Sequence, residues 1–403
     1  MRVSVGRSAQ PRRVFLHVGS PKTGTTFLQN VLWSQRETAA AQGVRLPLGR
    51  FSDHYLASLD IRGLAGRSEH PPAAVGSWKR LVQEAESAPG TALVSHELFA
   101  AATAEQAAAA VASFGPGTEV HVVLTARDLV RQIPAEWQEH VKHRSSTTMP
   151  DFVDELRSDT RGRSWFWRVQ DFADVVARWG ATLPPDHVHV VTVPPADGDP
   201  GLLWERFCSL LGLDAGSFDT QRSRANTSLG VEQAELLRRM NAELGDRLRL
   251  PGPSPVVAKN VLAHRVLAAR PGTRLRLDAD ATAFAVERSA QIAHRLADAG
   301  YDVVGDLDEL VPGPGPGGPA PTEVAAQQPS EQALLEEGVA AVIGLLETMA
   351  VDRARLRRLE DRLAQPPVRL ALLQASERHP LLMKGRRLYR RVTARVSDLR
   401  TRD

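Results

Sequence analysis

Two apolar periods alternate along the first half of this chain. Short runs rich in Val and Leu occur at residues 14–18, 91–94, 119–124 and 187–192, each bounded by turn-forming or polar residues. Such runs predict buried strands. Between them, apolar positions recur every three or four residues. Phe27, Leu28, Val31 and Leu32 share a helical face, and Gly43 follows in the place of a terminating glycine. Thr103 and Gln106 frame a capping box that opens an alanine-rich helix ending at Gly115. Further helical patterns cover 76–87, 131–144, 151–156, 172–179, 202–211, 231–244 and 280–299, and residues 44–46 read as a short strand. The rest of 50–90 reads as loop. Strands separated by helices predict parallel βαβ units, hence an α/β fold with a parallel sheet flanked by helices.

The pattern changes after residue 311. Pro312 opens a Pro/Gly-rich stretch that runs through small and polar residues to Ser330, too poor in apolar side chains to pack. Beyond it, Leu334, Leu335, Val342, Leu345, Leu346, Met349, Leu356, Leu359 and Leu363 form an approximate stripe on a long helix over 331–365. The expected organisation is a lead at 1–12, an α/β domain at 13–311, a linker at 312–330, and a C-terminal helical appendage at 331–403 that ends in a basic tail.

Composition narrows the function. The 403 residues are 42% hydrophobic and 24% charged, as in an ordinary globular chain. A formal net charge of +3 does not call for a nucleic-acid partner. One cysteine, Cys208, excludes an intrachain disulfide and suits a reducing, cytoplasmic setting; its apolar neighbours Leu203, Phe207 and Leu211 predict a packed core thiol. No apolar run approaches a membrane span of about 18 residues. Cys–His clusters with zinc-ligand spacing are missing, and His54, His140 and His143 lack such spacing, so no metal is expected.

The chemistry concentrates behind the first strand. Gly19 and Gly24 flank Ser20, Pro21, Lys22 and Thr23, and Thr25 and Thr26 open the helix. A strand, a glycine-bearing loop and a helix N-terminus present backbone N–H groups and a positive dipole end to an anion. The glycine spacing is that of a Walker A loop, but Thr25 stands where the Walker lysine belongs, and the lysine is inside the loop at Lys22. This loop resembles that of sulfotransferases that use 3′-phosphoadenosine 5′-phosphosulfate (PAPS), and the resemblance extends over about residues 12–240. It implies a P-loop-type fold in which Ser20, Lys22, Thr23, Gly24, Thr25 and Thr26 hold the 5′-phosphosulfate, with Lys22 assisting the leaving group. It also implies that Arg127, after a later strand, binds the 3′-phosphate, which a guanidinium can grip with two parallel hydrogen bonds.

Many members of that family carry a serine eight residues after this arginine; here the position is Ala135. Arg131, one helical turn beyond Arg127, is one candidate replacement. The basic, hydroxyl-rich loop holding Arg224, Asn226 and Ser228 is another, with a plain capped turn as its alternative. An acceptor hydroxyl or amine needs a base, and His96 and Glu97 both stand just past the second strand. Successive residues at a strand end face opposite ways, so one of the two is expected to face the site, Glu97 by preference.

Trp137, Gln138, His140, Trp165, Phe166 and Trp167 are candidates for an acceptor cleft suited to a carbohydrate, a glycolipid or a small metabolite, or else pack the helices together. From Pro366 on, ten basic residues stand against three acidic ones. That tail reads equally as a helix resting on the inner, anionic face of a membrane or as a solvated segment. The 331–365 helix could pair in a homodimer or dock on the domain. A Mg²⁺-dependent P-loop kinase or NTPase, and a non-catalytic nucleotide-binding adaptor, are the rival classes.

Overall fold

The apolar run behind Arg12 forms a strand, β1 (Arg12–Gly19), buried from Val14 onward. The computed structural model describes residues 12–87, 90–221, 228–245, 247, 255–312 and 328–363. β2 (Val44–Arg45), β3 (Thr91–Ser95), β4 (Thr118–Ala126) and β5 (Val188–Thr192) occupy the other expected strand positions, and β6 (Asp302–Val304) adds a short edge strand the pattern did not predict. All pair in parallel in the order β2-β3-β1-β4-β5-β6. Leu16 of β1 stands opposite Val94 on one side and Val122 on the other. The fold is therefore α/β with a six-stranded parallel sheet. Its central strands are apolar on both faces because helices cover both.

The α-helices among the described residues are α1 (Thr25–Ser34), α2 (Arg36–Ala41), α3 (Phe51–Ile61), α4 (Ser77–Ala85), α5 (Ala104–Ala112), α6 (Leu129–Lys142), α7 (Met149–Ser158), α8 (Trp165–Gln170), α9 (Phe172–Gly180), α10 (Leu202–Leu211), α11 (Val231–Leu244), α12 (Ala279–Asp298) and α13 (Glu331–Leu363). Helix α3 replaces an expected loop. Its buried face carries His54 and Ser58 beside Ala57 and Leu59, so an apolar period does not reveal it. On one face of the sheet, Phe15, Leu93, Val123 and Val191 meet Leu28, Val31 and Leu32 of α1 and Leu203, Trp204, Phe207, Cys208 and Leu211 of α10. Cys208 is packed as expected, and burial pushes its thiol up to about 12. Phe99, Phe166, Trp167, Phe172 and Trp179 are also fully buried. There, indole N–H groups reach backbone carbonyls: Trp179 to Phe99 at 3.1 Å and Trp167 to Leu156 at 3.0 Å.

The chain divides into two compact units, Met1–Glu337 and Gly338–Asp403. The first therefore extends beyond residue 311 to take in the opening turns of α13, where Leu334 is buried and Glu337 pairs with Arg270 at 2.8 Å. In the second unit, Val342, Leu346, Met349 and Leu356 of the expected stripe are exposed. The basic tail and most of the linker lie outside the described residues. Among the described residues no helix is long and apolar enough to cross a membrane.

Two buried histidines make the fold acid-sensitive. His17 sits in β1 between the hydroxyls of Ser95 (2.7 Å) and Thr125 (3.4 Å), and His54 accepts the Ser95 N–H at 3.2 Å. Burial is the main cause that lowers their pKa values, to about 3 and about 4. Unfolded, each takes up a proton near pH 6.5. The unfolded chain thus binds more protons below that pH, and stability falls as pH drops toward the folded values. Between pH 7.5 and 5.5 these two contribute a loss of about 2–3 kcal/mol, to which His121, lowered to about 4 chiefly by burial, adds in the same direction, so urea unfolding at the two pH values should differ by at least that much. A flat profile would contradict it.

Candidate functional site

Strand order places the site. After β1 the chain turns toward β2 and β3, and after β4 it turns toward β5 and β6, so the loops leave β1 and β4 in opposite directions. A crevice opens at the carboxyl ends of the two strands, where α/β sheets bind ligands. The cleft found there has a volume of about 1150 Å³ and is lined by residues from the ends of β1, β3 and β4 together with one face of α6.

The loop behind β1 is held from below. Thr23 is fully buried; its hydroxyl donates to the Ser20 carbonyl at 2.6 Å and lies against the hydroxyl of Thr125, which donates to the Gly19 carbonyl at 3.0 Å. The amides of Gln132 and Gln170 both donate to the Pro21 carbonyl. Lys22 and Gly24 adopt left-handed backbone, at φ +65° and +88°. α1 then starts with no side chain capping it and no acid in its first turn. Its first N–H groups, beside Thr25 and Thr26 in the cleft wall, suit an anion.

Behind β3, His96 Nδ1 accepts the Leu98 N–H at 3.2 Å. The proton of the neutral ring therefore sits on Nε2, which can donate but not accept. Burial holds this histidine below its ordinary pKa, with Glu97 opposing and Arg62 adding to the shift. Glu97 opens the helical turn Glu97–Ala101 and lines the cleft. Its Oε2 receives Gln29 Nε2 at 3.4 Å, and the same amide donates to Ser95 at 3.1 Å. Both residues reach the cleft, contrary to the expectation that only one would. The helical turn after β3 breaks the strand alternation on which that expectation relied.

Behind β4, Arg127 also lines the cleft. Gln132 accepts from its Nε at 2.8 Å and the Arg131 carbonyl from its Nη2 at 2.9 Å. Burial first, then the charge of Arg131, pulls it down to about 10, so it stays cationic near neutrality. Arg131 does not reach the cleft. Its guanidinium pairs with Asp128, which caps α6, and donates to the carbonyls of Pro194 (2.8 Å) and Val193 (3.3 Å) behind β5. A side chain committed to three such partners ties two loops together and is not a phosphate ligand here.

Other expectations divide in the same way. Ser20 and Thr23 are fully buried outside the cleft lining, whereas Lys22, Gly24, Thr25 and Thr26 line it. Trp137 is a core residue, 3% exposed, with its indole donating to the Thr147 carbonyl at 2.9 Å. Phe166 and Trp167 are core as well, while Gln138, His140 and Trp165 line the cleft. Gln138 Oε1 accepts the Leu229 N–H at 3.0 Å, next to Ser228, which is also in the lining. Arg224 and Asn226 lie outside the described residues.

Glu136, Glu139, Lys142 and Lys259 escaped the sequence reading. Ala135, Gln138, Glu139 and Lys142 recur at helical spacing, so the face of α6 that carries Ala135 was the available signal. Lys259, from the segment Pro255–Val266, had none. Lys22 Nζ lies 2.6 Å from Glu139 Oε2, and Lys259 Nζ 2.6 Å from Oε1. Burial pushes Glu139 up, but hydrogen bonds from His143, Lys22 and Lys259 hold it well below the carboxylate range. Lys142 is pulled down to about 8 by burial and by the charge of Lys22. Lys22, Arg127, Lys142, Arg144 and Lys259 face three carboxylates, Glu97, Glu136 and Glu139, and leave the cleft cationic. Comparison of the chain with models of known families, with curated proteins and with solved structures finds no match.

Proposed function

We propose that this chain is a PAPS-dependent sulfotransferase. The observation that carries the reading is the convergence, in one cationic cleft, of an uncapped helix N-terminus with Lys22, of Arg127 and of Glu97. Lys22 and the α1 N–H groups suit the 5′-phosphosulfate end, and Arg127 suits the 3′-phosphate. Mutual repulsion among Lys22, Lys142 and Lys259 is relieved by a polyanion, which favours such a ligand over a neutral one. The ligand takes the place of Glu139 on Lys22, and Lys259 and His143 retain that carboxylate.

In the reaction, Glu97 takes the proton of the acceptor hydroxyl or amine. The acceptor atom bonds to sulfur while the bond from sulfur to the bridging oxygen breaks. The electron pair stays on the 5′-phosphate oxygen of 3′-phosphoadenosine 5′-phosphate, where Lys22 and the loop N–H groups stabilise it. His96, with its proton on Nε2, acts as a donor beside Glu97 and not as the base. Tyr55, Gln138, His140 and Trp165 form the acceptor wall, a mixture of ring faces and hydrogen-bonding groups suited to a sugar-like or small polar acceptor.

Isothermal titration with 3′-phosphoadenosine 5′-phosphate, without added metal, tests the reading. Wild type should bind at micromolar affinity, and Arg127→Ala should bind about 10–100-fold more weakly, the expected effect of removing a charged hydrogen-bonding partner. Absence of wild-type binding, together with binding of ATP and Mg²⁺, would overturn it in favour of a kinase.

A further inference from the structure

At the opposite end of the sheet, a second group of polar side chains has no part in the cleft. Glu119 and His121 stand at the start of β4, and His187 immediately precedes β5. His121 Nε2 and Glu119 Oε1 are 3.0 Å apart, and His187 Nε2 lies 3.7 Å from the same oxygen. One ligand atom from each residue falls within 4.8 Å of the other two. Behind them, His121 Nδ1 contacts His189 Nε2 at 2.9 Å, and His189 Nδ1 contacts Asp302 Oδ2 at 2.6 Å. His187 Nδ1 lies 3.2 Å from the Val120 carbonyl.

Hydrogen positions decide what this arrangement holds. A carbonyl only accepts, so His187 carries its proton on Nδ1 and turns the lone pair of Nε2 toward Glu119. From Asp302 through His189 and His121 to Glu119 there are three short contacts, each needing a proton between its partners. Two neutral imidazoles supply two. With those two placed at Asp302 and between the rings, the lone pair of His121 Nε2 also faces Glu119. Three lone-pair donors then lie within 4.8 Å of one another, two imidazole nitrogens and a carboxylate oxygen, and because the His121 and His187 rings stack at 4.4 Å between centroids, a shared ion turns the His187 ring out of that stack. Arg13 Nε already donates to Glu119 Oε2 at 3.1 Å; at Oε1, a proton on His121 satisfies that oxygen but leaves the His187 lone pair without a partner, whereas a cation there satisfies the oxygen and both imidazoles.

We propose that Glu119, His121 and His187 bind one divalent transition-metal ion of the zinc class, with His189 and Asp302 as the hydrogen-bonded relay that orients His121. Two imidazoles and one carboxylate select such an ion over Mg²⁺ or Ca²⁺, which prefer oxygen ligands throughout. A relay from ligand histidine to carboxylate is the usual support of such sites. Tetrahedral bonds of about 2.0–2.1 Å separate donors by about 3.3 Å. The ion therefore draws His187 inward, and both His187 and Glu119 are partly exposed and able to move. Solvent supplies the fourth ligand. The ion clamps the start of β4 to the approach to β5, remote from the carboxyl-end cleft, and departs from the sequence expectation of no metal. The inference is independent of the proposed function.

The test uses the full chain stripped with EDTA, then titrated with Zn²⁺ and with Co²⁺ at pH 7.5. Expected are one ion per chain, a tetrahedral Co²⁺ visible spectrum, and affinity reduced at least about 10-fold in Glu119→Gln and His187→Asn. His294→Asn, at an exposed histidine elsewhere, should bind like wild type. Zn²⁺ at about a hundred times its Kd should shift the wild-type folding equilibrium about 100-fold. Absence of stoichiometric binding, or binding unchanged in both ligand variants, overturns the proposal. Should a variant fail to fold, the wild-type Co²⁺ spectrum decides: an octahedral, aquo-like spectrum overturns it and a tetrahedral one supports it.

Discussion

Glu97→Gln is expected to lower turnover about 10²–10⁴-fold, the range for removing a general base, while leaving affinity for 3′-phosphoadenosine 5′-phosphate essentially unchanged. The reason is positional. Glu97 reaches the cleft from the end of β3, while the groups proposed to bind phosphate come from the ends of β1 and β4. The amide of glutamine preserves the shape and the contact with Gln29, but it cannot take a proton. His96→Gln is the informative comparison. It should have a smaller effect, because His96 Nδ1 is already occupied by the Leu98 N–H and the remaining nitrogen bears a proton. Steady-state rates with PAPS and a responsive acceptor, set beside titration of the product nucleotide, separate the two. If His96→Gln abolishes turnover and Glu97→Gln does not, the roles assigned here are wrong.

Gly19→Ala is expected to destabilise the fold by about 3 kcal/mol or more, with loss of nucleotide binding. Gly19 ends β1 at φ +132°, a conformation L side chains rarely adopt, and a methyl group there would lie 2.9 Å from the Glu97 carbonyl oxygen and 3.2 Å from Ala100 Cβ. Backbone strain of about 1–3 kcal/mol and overpacking of about 1–3 kcal/mol act together. The close approach is also what sets the loop behind β1 against Glu97: the His96 N–H donates to the His17 carbonyl at 3.1 Å in the same junction. Gly63 provides the control. It too has positive φ, at +66°, but an added methyl group meets nothing within 4 Å, so Gly63→Ala should cost only about 1 kcal/mol. Chemical denaturation of the two variants measures the difference. Equal costs would show that the junction can relax and that packing there is not decisive.

The core strands and most of the helices were legible because each buries a face against a neighbour, and burial imprints an apolar period on the chain. The turn from Ser20 to Thr26 between β1 and α1 was legible because a strand, a glycine and a helix start follow one another within a few residues. The misreadings share one cause. Helix α3 hides His54 and Ser58 on its buried face, and Trp137 looked like a cleft residue but lies in the core. Arg131 looked like a phosphate ligand, yet its donors meet carbonyls some sixty residues away in sequence. Whether a polar or aromatic side chain meets solvent, ligand or another part of the chain depends on long-range partners.

The sequence by itself determined the layered α/β class, the strand–loop–helix turn at residues 19–26 and the candidate chemistry of Lys22, Glu97 and Arg127. Short-range periodicity and turn chemistry act within a few residues, and the chain carries them openly. Only the tertiary structure decided that His96 Nδ1 takes the Leu98 N–H, that Glu139 and Lys259 frame Lys22, and that His121 and His187 meet Glu119 at the far end of the sheet. Each of these depends on strand order and register, which bring together residues far apart in sequence. Strand order follows from how whole layers pack, and local composition does not encode it.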